Sequence, residues 1–363
     1  MIKQVSGGFL IRTKYFLSFS LGISLISCST ANSETSIPVT TIQSSTTAVT
    51  TSLVTLLDEK IAPLTGLAIS EELPGAILAV KIDNSPDAWP QTGINNADIV
   101  FEENVEGWTR FIAVFHSKSP EPVGPIRSMR TQDIDILSSF GTVGLVGSGG
   151  NEKVLAAINN SDLVNLSYTG WGDEDVFYRD KQRRSPHNLF ASTSNLFSKI
   201  PPQGSEVRPP FSFLSNGSQF EGRAAGGLVL QMKGSMRAIW SWNQKNLQYE
   251  RYNEYVPAVD SSLAPVSTEN VVAIITSYRP SKADPRSPEA ITVGSGDAVV
   301  FSGGKFQVGF WSRPDYQSPW MLTTPEGLEI NLQPGRTWVE LVSPEQIGLL
   351  PKDSDISQVE WPS

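Results

Sequence analysis

Beyond residue 60 the chain is patterned in short apolar runs bounded by Gly, Pro and Asn, the mark of strands more than of long helices. Residues 76–82 (AILAVKI), 98–101 (DIVF), 111–115 (FIAVF) and 143–146 read as strands. Between them, 128–140 and 152–158 carry apolar residues at helical spacing, and 195–200 is a short third candidate. Interleaved strands and helices predict a mixed α/β layer over residues 61–205. A stretch rich in Pro, Gly and Ser, 206–227, reads as a linker or insertion. Further on, 228–232, 236–242, 247–252, 271–277, 298–301, 306–311 and 337–342 are Val-, Ile-, Trp- and Tyr-rich segments at hairpin spacing. They predict an all-β, sandwich- or barrel-like domain over 228–350, with 351–363 as a tail. Gly303-Gly304 predicts a two-residue hairpin turn. The expected fold class is therefore α+β: a mixed α/β amino-terminal domain followed by a mainly-β carboxy-terminal domain.

The first 60 residues differ. Lys3, Arg12 and Lys14 precede the uncharged stretch 15–27, which is too short to span a bilayer as a stable helix. Leu25, Ile26, Ser27 and Cys28 look like a bacterial lipobox, so 1–27 reads as a lipoprotein signal peptide and Cys28 as the acylated first residue of the mature chain. Two acyl chains suffice for stable anchoring where one is marginal. The alternative is a free Cys in an ordinary signal peptide. Residues 28–60 read as a disordered tether, since 29–55 hold 15 Ser or Thr, few large apolar residues and no Lys or Arg. The expected location is the outer face of the bacterial cytoplasmic membrane, with the bilayer as partner through Cys28.

Composition narrows the chemistry. Of 363 residues one is Cys and two are His, which excludes internal disulfides, four-thiolate zinc and Cys-pair redox centres. Removal of residues 1–27 leaves 25 Lys and Arg against 37 Asp and Glu, a net charge of −12, unsuited to general nucleic-acid binding. The chain has no H-E-x-x-H, G-x-S-x-G, Walker A or helix-opening G-x-G-x-x-G sequence. No metal or cofactor is expected.

Three segments together are distinctive: 80–110 (VKIDNSPDAWPQTGINNADIVFEENVEGWTR), 123–130 (VGPIRSMR) and 178–190 (YRDKQRRSPHNLF). They resemble the YerB-like family of bacterial lipoproteins, defined by a domain of unknown function and a separate carboxy-terminal partner domain. The partner corresponds to the β-rich half through 270–275 (NVVAII) and 334–341 (PGRTWVEL). In the family pattern a His precedes the Asp ahead of the NVV strand, where this chain has Ala258, Val259 and Asp260. The resemblance implies location and architecture but supplies no reaction.

Candidate chemistry falls in the same segments. If 98–103 is a strand, Glu103 shares a face with Ile99 and Phe101, so it needs a partner or a raised pKa. Otherwise the strand ends near Phe101 and Glu102, Glu103 and Glu106 are solvated or paired with Arg110. Arg127 and Arg130, at the first turn of the expected helix, call for an anion, from the protein or from a ligand. Arg179, Lys181, Arg183 and Arg184 form the densest positive cluster, beside Pro186, His187 and Asn188; it is either a solvated face or an anion- or sugar-binding element. His116 reads as structural. The Gly-rich run 144–150 is a weak anion-binding candidate beside a plain strand-to-helix turn, and Trp240, Trp242, Trp311, Trp320 and Trp338 read as core before sugar platform. Three functions stay open. The first is binding or scaffolding of an anionic or sugar-like envelope ligand by Arg127, Arg130, Arg184, His187 and Asn188. The second is an envelope hydrolase or transferase using Glu103 or Glu106 with His187, and the third a purely structural module.

Overall fold

One twisted sheet runs through the molecule and takes strands from both halves of the sequence. The computed structural model describes residues 3–4, 60–170, 174–202, 206–232 and 236–362; the expected lipobox with Cys28 and the expected tether lie outside them. The amino-terminal half supplies β1 (Ile77–Asp83), β2 (Ile99–Asn104), β3 (Thr109–Phe115), β4 (Val143–Val146) and β5 (Val164–Asn165). It also contains α1 (Gln132–Leu137), α2 (Glu152–Asn159), the hairpin β6 (Phe177–Arg179) and β7 (Leu189–Ala191), and α3 (Thr193–Ser198). The carboxy-terminal half supplies β8 (Gly227–Gln231), β9 (Arg237–Asn243), β10 (Gln248–Asn253), β11 (Asn270–Ile275), β12 (Gly294–Ser302), β13 (Lys305–Arg313), β14 (Met321–Thr323), β15 (Thr337–Val342) and β16 (Ile347–Leu350).

The large sheet has the order β14-β13-β12-β11-β15-β2-β3-β1-β4-β5. Its seam is the parallel pair of β15 with β2, which sets Trp338 opposite Val100 and Glu340 opposite Glu102. A second, antiparallel sheet, β16-β8-β9-β10, lies over one face, and Lys3–Gln4 pairs with its β16 edge. Leu228, Leu230, Trp240 and Tyr249 of that sheet pack with Val100, Phe111, Val271, Phe301 and Trp338 of the large one. The opposite face is covered by Ile136, Leu137 and Phe140 and by Val154 and Ile158 of α2, against Ile77, Ala79, Phe101, Ile112, Val272 and Val339. With both faces covered, β1, β2, β3, β11 and β15 are buried along their whole length, as their continuous apolar runs require.

The molecule is mostly β with few helices, so the α/β character expected of the first half is correct only in part. The helix expected over 128–140 opens at Gln132. Upstream of it, the Arg127 carbonyl accepts the Ser148 N–H at 2.9 Å and the Ser128 carbonyl accepts Arg110 at 3.0 Å, so the acceptors that a helix opening at 128 would need are already spent on the β4–α2 turn and on β3. Gly303 and Gly304 join β12 to β13 with φ of 57° and 73°, the paired left-handed conformation of a two-residue hairpin turn. The run 144–150 is a strand-to-helix turn closed by Asn151, whose side chain accepts the Val154 N–H at 2.9 Å. Trp240, Trp311, Trp320 and Trp338 are core residues.

At the seam sits a buried charge cluster. Arg251 of β10 places Nη1 2.9 Å from Glu102 Oε2 and 3.4 Å from Glu340 Oε1, and its guanidinium packs against the rings of Phe111, Trp240 and Trp338. The Trp240 indole N–H and the Thr109 hydroxyl donate to Glu340 and Glu102 at 2.7 and 2.6 Å. Burial and the neighbouring Glu102 push the Glu340 carboxyl well above its ordinary range. Removing the cation would leave two carboxylates in the core. Arg251→Met is expected to cost about 3 to 5 kcal/mol in urea unfolding, and adding Glu102→Gln and Glu340→Gln should restore part of that loss.

Candidate functional site

The site grows from the carboxyl end of β1. Lys81 and Asp83 alternate with Val80 and Ile82 and so point to the helix-covered face. Beyond the reach of β4, the segment around Ile126 takes over that edge: the Asp83 N–H bonds Pro125 O and the Ile126 N–H bonds Leu189 O at the end of the β6–β7 hairpin. This pairing places residues from the three distinctive segments side by side. Asp83, Ser85 and Asp87 follow β1, Glu106 and Trp108 lie in the β2–β3 turn, Arg110 is on β3, Arg127 is in the 123–130 segment and His187 is in the hairpin loop. All of them line one cleft of about 600 Å³.

Asp83 is its organising acceptor. Oδ1 takes the Ser85 N–H at 3.0 Å and the Ser85 hydroxyl at 2.9 Å. Oδ2 lies 2.7 Å from His187 Nδ1 and 3.1 Å from Arg127 Nε. A ring nitrogen facing a carboxylate must carry its proton, so Asp83 fixes the Nδ1–H tautomer and leaves Nε2 as the open position of the ring. The nearest acid to Nε2 is Asp87, at 3.9 Å. Arg127 Nε lacks hydrogen-bond alignment with Asp83, and the Arg127 guanidinium makes no hydrogen bond among the described residues. Opposite, Glu106 is gripped by Arg130 through two bonds of 2.9 and 2.8 Å and approached by Arg110 at 3.5 Å. The two arginines outweigh partial burial and hold the Glu106 carboxyl down at about 2. Burial and the neighbouring Arg130 and Arg127 bring the Arg110 guanidinium down to about 10.

The residues expected from sequence separate into groups. Arg127, His187 and Glu106 meet in the cleft. Arg130 stands behind it, its donors spent on Glu106, Ser287 Oγ and the carbonyls of Ser128 and Met129. Asn188 faces inward and ties its own loop, donating to Asp180 O and accepting from Arg179 at 2.8 Å. Arg184 is exposed and does not line the cleft. Arg183 instead fastens the loop to the turn after β1, donating to Ala88 O and Pro90 O at 2.9 and 2.7 Å. His116 is buried with Nε2 2.8 Å from Pro74 O, a structural position. Sequence reasoning passed over Asp83, Ser85 and Asp87, although Lys81, a cation inside an apolar run, was a visible sign that this strand ends in charge.

Strand β2 runs on to Asn104, so Glu102 and Glu103 are both inside the protein, on opposite faces of the sheet. Glu103 pairs with Lys81, which also bonds Asp133 at 2.6 Å, and all three are closed to solvent. No substrate reaches Glu103 in this arrangement. Burial, only partly offset by Lys81, pushes the Glu103 carboxyl up to about 7 from 4.5. The folded chain therefore keeps this proton where the unfolded chain has lost it. The resulting stability is complete below about pH 4.5 and is lost as pH rises through about 7. Urea midpoints measured from pH 4.5 to 8 should fall more steeply with pH in the wild type than in Glu103→Gln.

Comparison with known proteins places this geometry in a family. Residues 64–206 match the model described as "Protein of unknown function (DUF3048) N-terminal domain", and residues 228–339 match the corresponding C-terminal domain. A curated relative, "Putative lipoprotein YerB" of Bacillus subtilis (strain 168), is 26% identical over 295 residues, covering 77% of this chain and 86% of its own. The crystal structure of YerB from Bacillus subtilis superposes with a TM-score of 0.70 at 23% identity, over 80% of this chain and 99% of that one. The large shared sheet and the flanking smaller one are thus the architecture of that relative too, and the chain belongs to the DUF3048, or YerB-like, family.

Proposed function

We propose that the chain is a lipid-anchored extracytoplasmic protein whose cleft at the end of β1 binds an anionic or polar envelope ligand. Support for the anchor comes from the relative's description as a lipoprotein and from Cys28 at the end of a well-formed signal. Among the described residues no helix is long and apolar enough to cross a membrane. Substituting Cys28→Ser should shift the protein from the membrane pellet to the soluble fraction and abolish incorporation of labelled palmitate.

One observation carries the binding reading: Arg127 lines an open cleft with a single misaligned carboxylate contact and no hydrogen bond. A guanidinium matches carboxylates and phosphates through paired donors. Arg110 lines the same cleft and Arg130 holds Glu106 from behind it, so three guanidinium groups stand against the two carboxylates of Asp83 and Glu106, with Asp87 reaching out to solvent. His187 Nε2 adds an acceptor for a ligand hydroxyl. Retention of labelled cell-wall fragments by the full chain should drop roughly tenfold to a hundredfold in Arg127→Ala, the loss of one charged hydrogen-bonding group. His187→Ala should weaken it less, and Arg184→Ala should leave it unchanged.

The Asp83–His187 pair supports a second reading, general-base catalysis, because a carboxylate-oriented imidazole with a free Nε2 can take a proton from water or a hydroxyl. Both partners of Ser85 Oγ lie on its own side of the ring, Asp83 Oδ1 and His187 Nδ1, so Ser85 is placed to orient the dyad and not to be its nucleophile. In this reading, release of products from the same fragments disappears in Asp83→Asn; binding without turnover in the wild type excludes it.

A further inference from the structure

We infer that the ligand is a sugar carrying an acidic substituent, with the acid at Arg127 and the ring in a second groove across Trp108; this deepens the binding reading and rests on it. The second groove, about 530 Å³, lies between the turn after β1 and the end of β10, and among its walls are Trp89, Pro90, Trp108, Val256 and Pro257. Pro86 and Trp108 line both spaces, so only one layer of side chains separates the guanidinium from the aromatic floor.

The groove matches a sugar ring better than an acyl chain. Its walls are flat proline and indole surfaces, suited to the C–H face of a pyranose. Its polar groups are Arg237 and Glu254, a loose pair 3.7 Å apart and exposed, with the side chain of Asn253 beside them. Such groups serve the hydroxyl edge of a ring and would be costly beside a buried hydrocarbon tail. Trp89 is held rigid by its N–H bond to Asn84 Oδ1 at 3.0 Å, whereas the Trp108 N–H donates to no group among the described residues. Because the two spaces share a wall, a ligand with ring and acid on one scaffold fills both, and each half alone fills one.

Calorimetry on the full chain in phospholipid nanodiscs tests this with inorganic phosphate, lactate, glucose, N-acetylglucosamine, glucose 6-phosphate, N-acetylmuramic acid and decyl phosphate. The expected result is that an acidic sugar binds at least tenfold tighter than its acid alone or its neutral sugar, with the phosphate and carboxylate members showing which acid is preferred. Val256→Arg, at a position 67% exposed on the short strand Val256–Pro257 that pairs with β10 and outside the core, should remove that tenfold gain while leaving phosphate or lactate binding intact. Trp108→Ala, at the wall common to both spaces, should also remove the gain, and Arg127→Ala should reduce the acidic sugar to the level of the neutral one. Acidic sugars that bind no tighter than the bare acid, or a Val256→Arg chain that binds them normally, overturn the sugar assignment and leave the acid site standing. Decyl phosphate binding more tightly than glucose 6-phosphate replaces the sugar by an acyl chain. Failure of every acidic probe overturns the site itself.

Discussion

Everything in this molecule is organised around a guanidinium in a place where water does not reach. Arg251 comes from the smaller sheet, Glu102 from the amino-terminal half and Glu340 from the last strand of the large sheet. Arg251 is tolerable inside because both acids pair with it, and the acids because they share its charge while burial and Glu102 hold the Glu340 carboxyl toward its neutral form. An apolar seam would bring the same strands together, but it could slide by two residues and still bury its side chains. The ion cluster cannot, because a shifted register would separate Glu340 from Glu102 and strand a charge. The cluster thus sets the alignment of β15 on β2, and through β2 and β3 the height at which the Glu106–Trp108 turn meets the end of β1.

The cleft uses the same chemistry at a shallower depth. Lys81, Glu103 and Asp133 are closed off beneath the sheet, while Asp83, two residues further along the same face of β1, stands where the covering helix ends and solvent begins. Each charge of the two inner clusters has an ion partner within the protein; at the mouth the partnering is looser, and Arg127 is the clearest case. Arg130 and Arg183 mark the boundary. Both have their donors spent within the protein, and both hold in place a segment on which a cleft residue sits.

What the sequence made legible follows from the range of the interactions involved. Strands β1, β3, β4 and β15 are visible as apolar runs, and the Gly303-Gly304 turn is visible because its backbone needs residues without a Cβ. Parity along a strand is a local property and puts Glu103 on an apolar face if the strand continues, but where the strand stops is not local: an end near Phe101 with solvated acids stayed open, and the strand to Asn104 overturns it. The partner of Glu103 was not visible, because Lys81 and Asp133 meet it only through strand order. Glu102 could not be recognised as buried without knowing that a second sheet covers the other face. The helix over 128–140 was read too long because helical spacing says nothing about backbone groups already claimed by a neighbouring strand. His187 and Arg127 stand out by their chemistry in segments that the family resemblance also marks, whereas Asp83, which joins them, is hidden by its ordinary surroundings in a turn-rich segment.

The position of β15 bears on how the molecule comes into being. This strand is formed by residues 337–342 yet lies between β11 and β2, joining a strand near residue 100 to one near residue 270. The emerging chain therefore cannot complete its sheet until almost all of it is available, and Glu102 is without its cation until Arg251 has been made. Contacts so distant in sequence make folding slow and late. A polypeptide whose core waits for its final strand stays open and threadable until its last segments have been made.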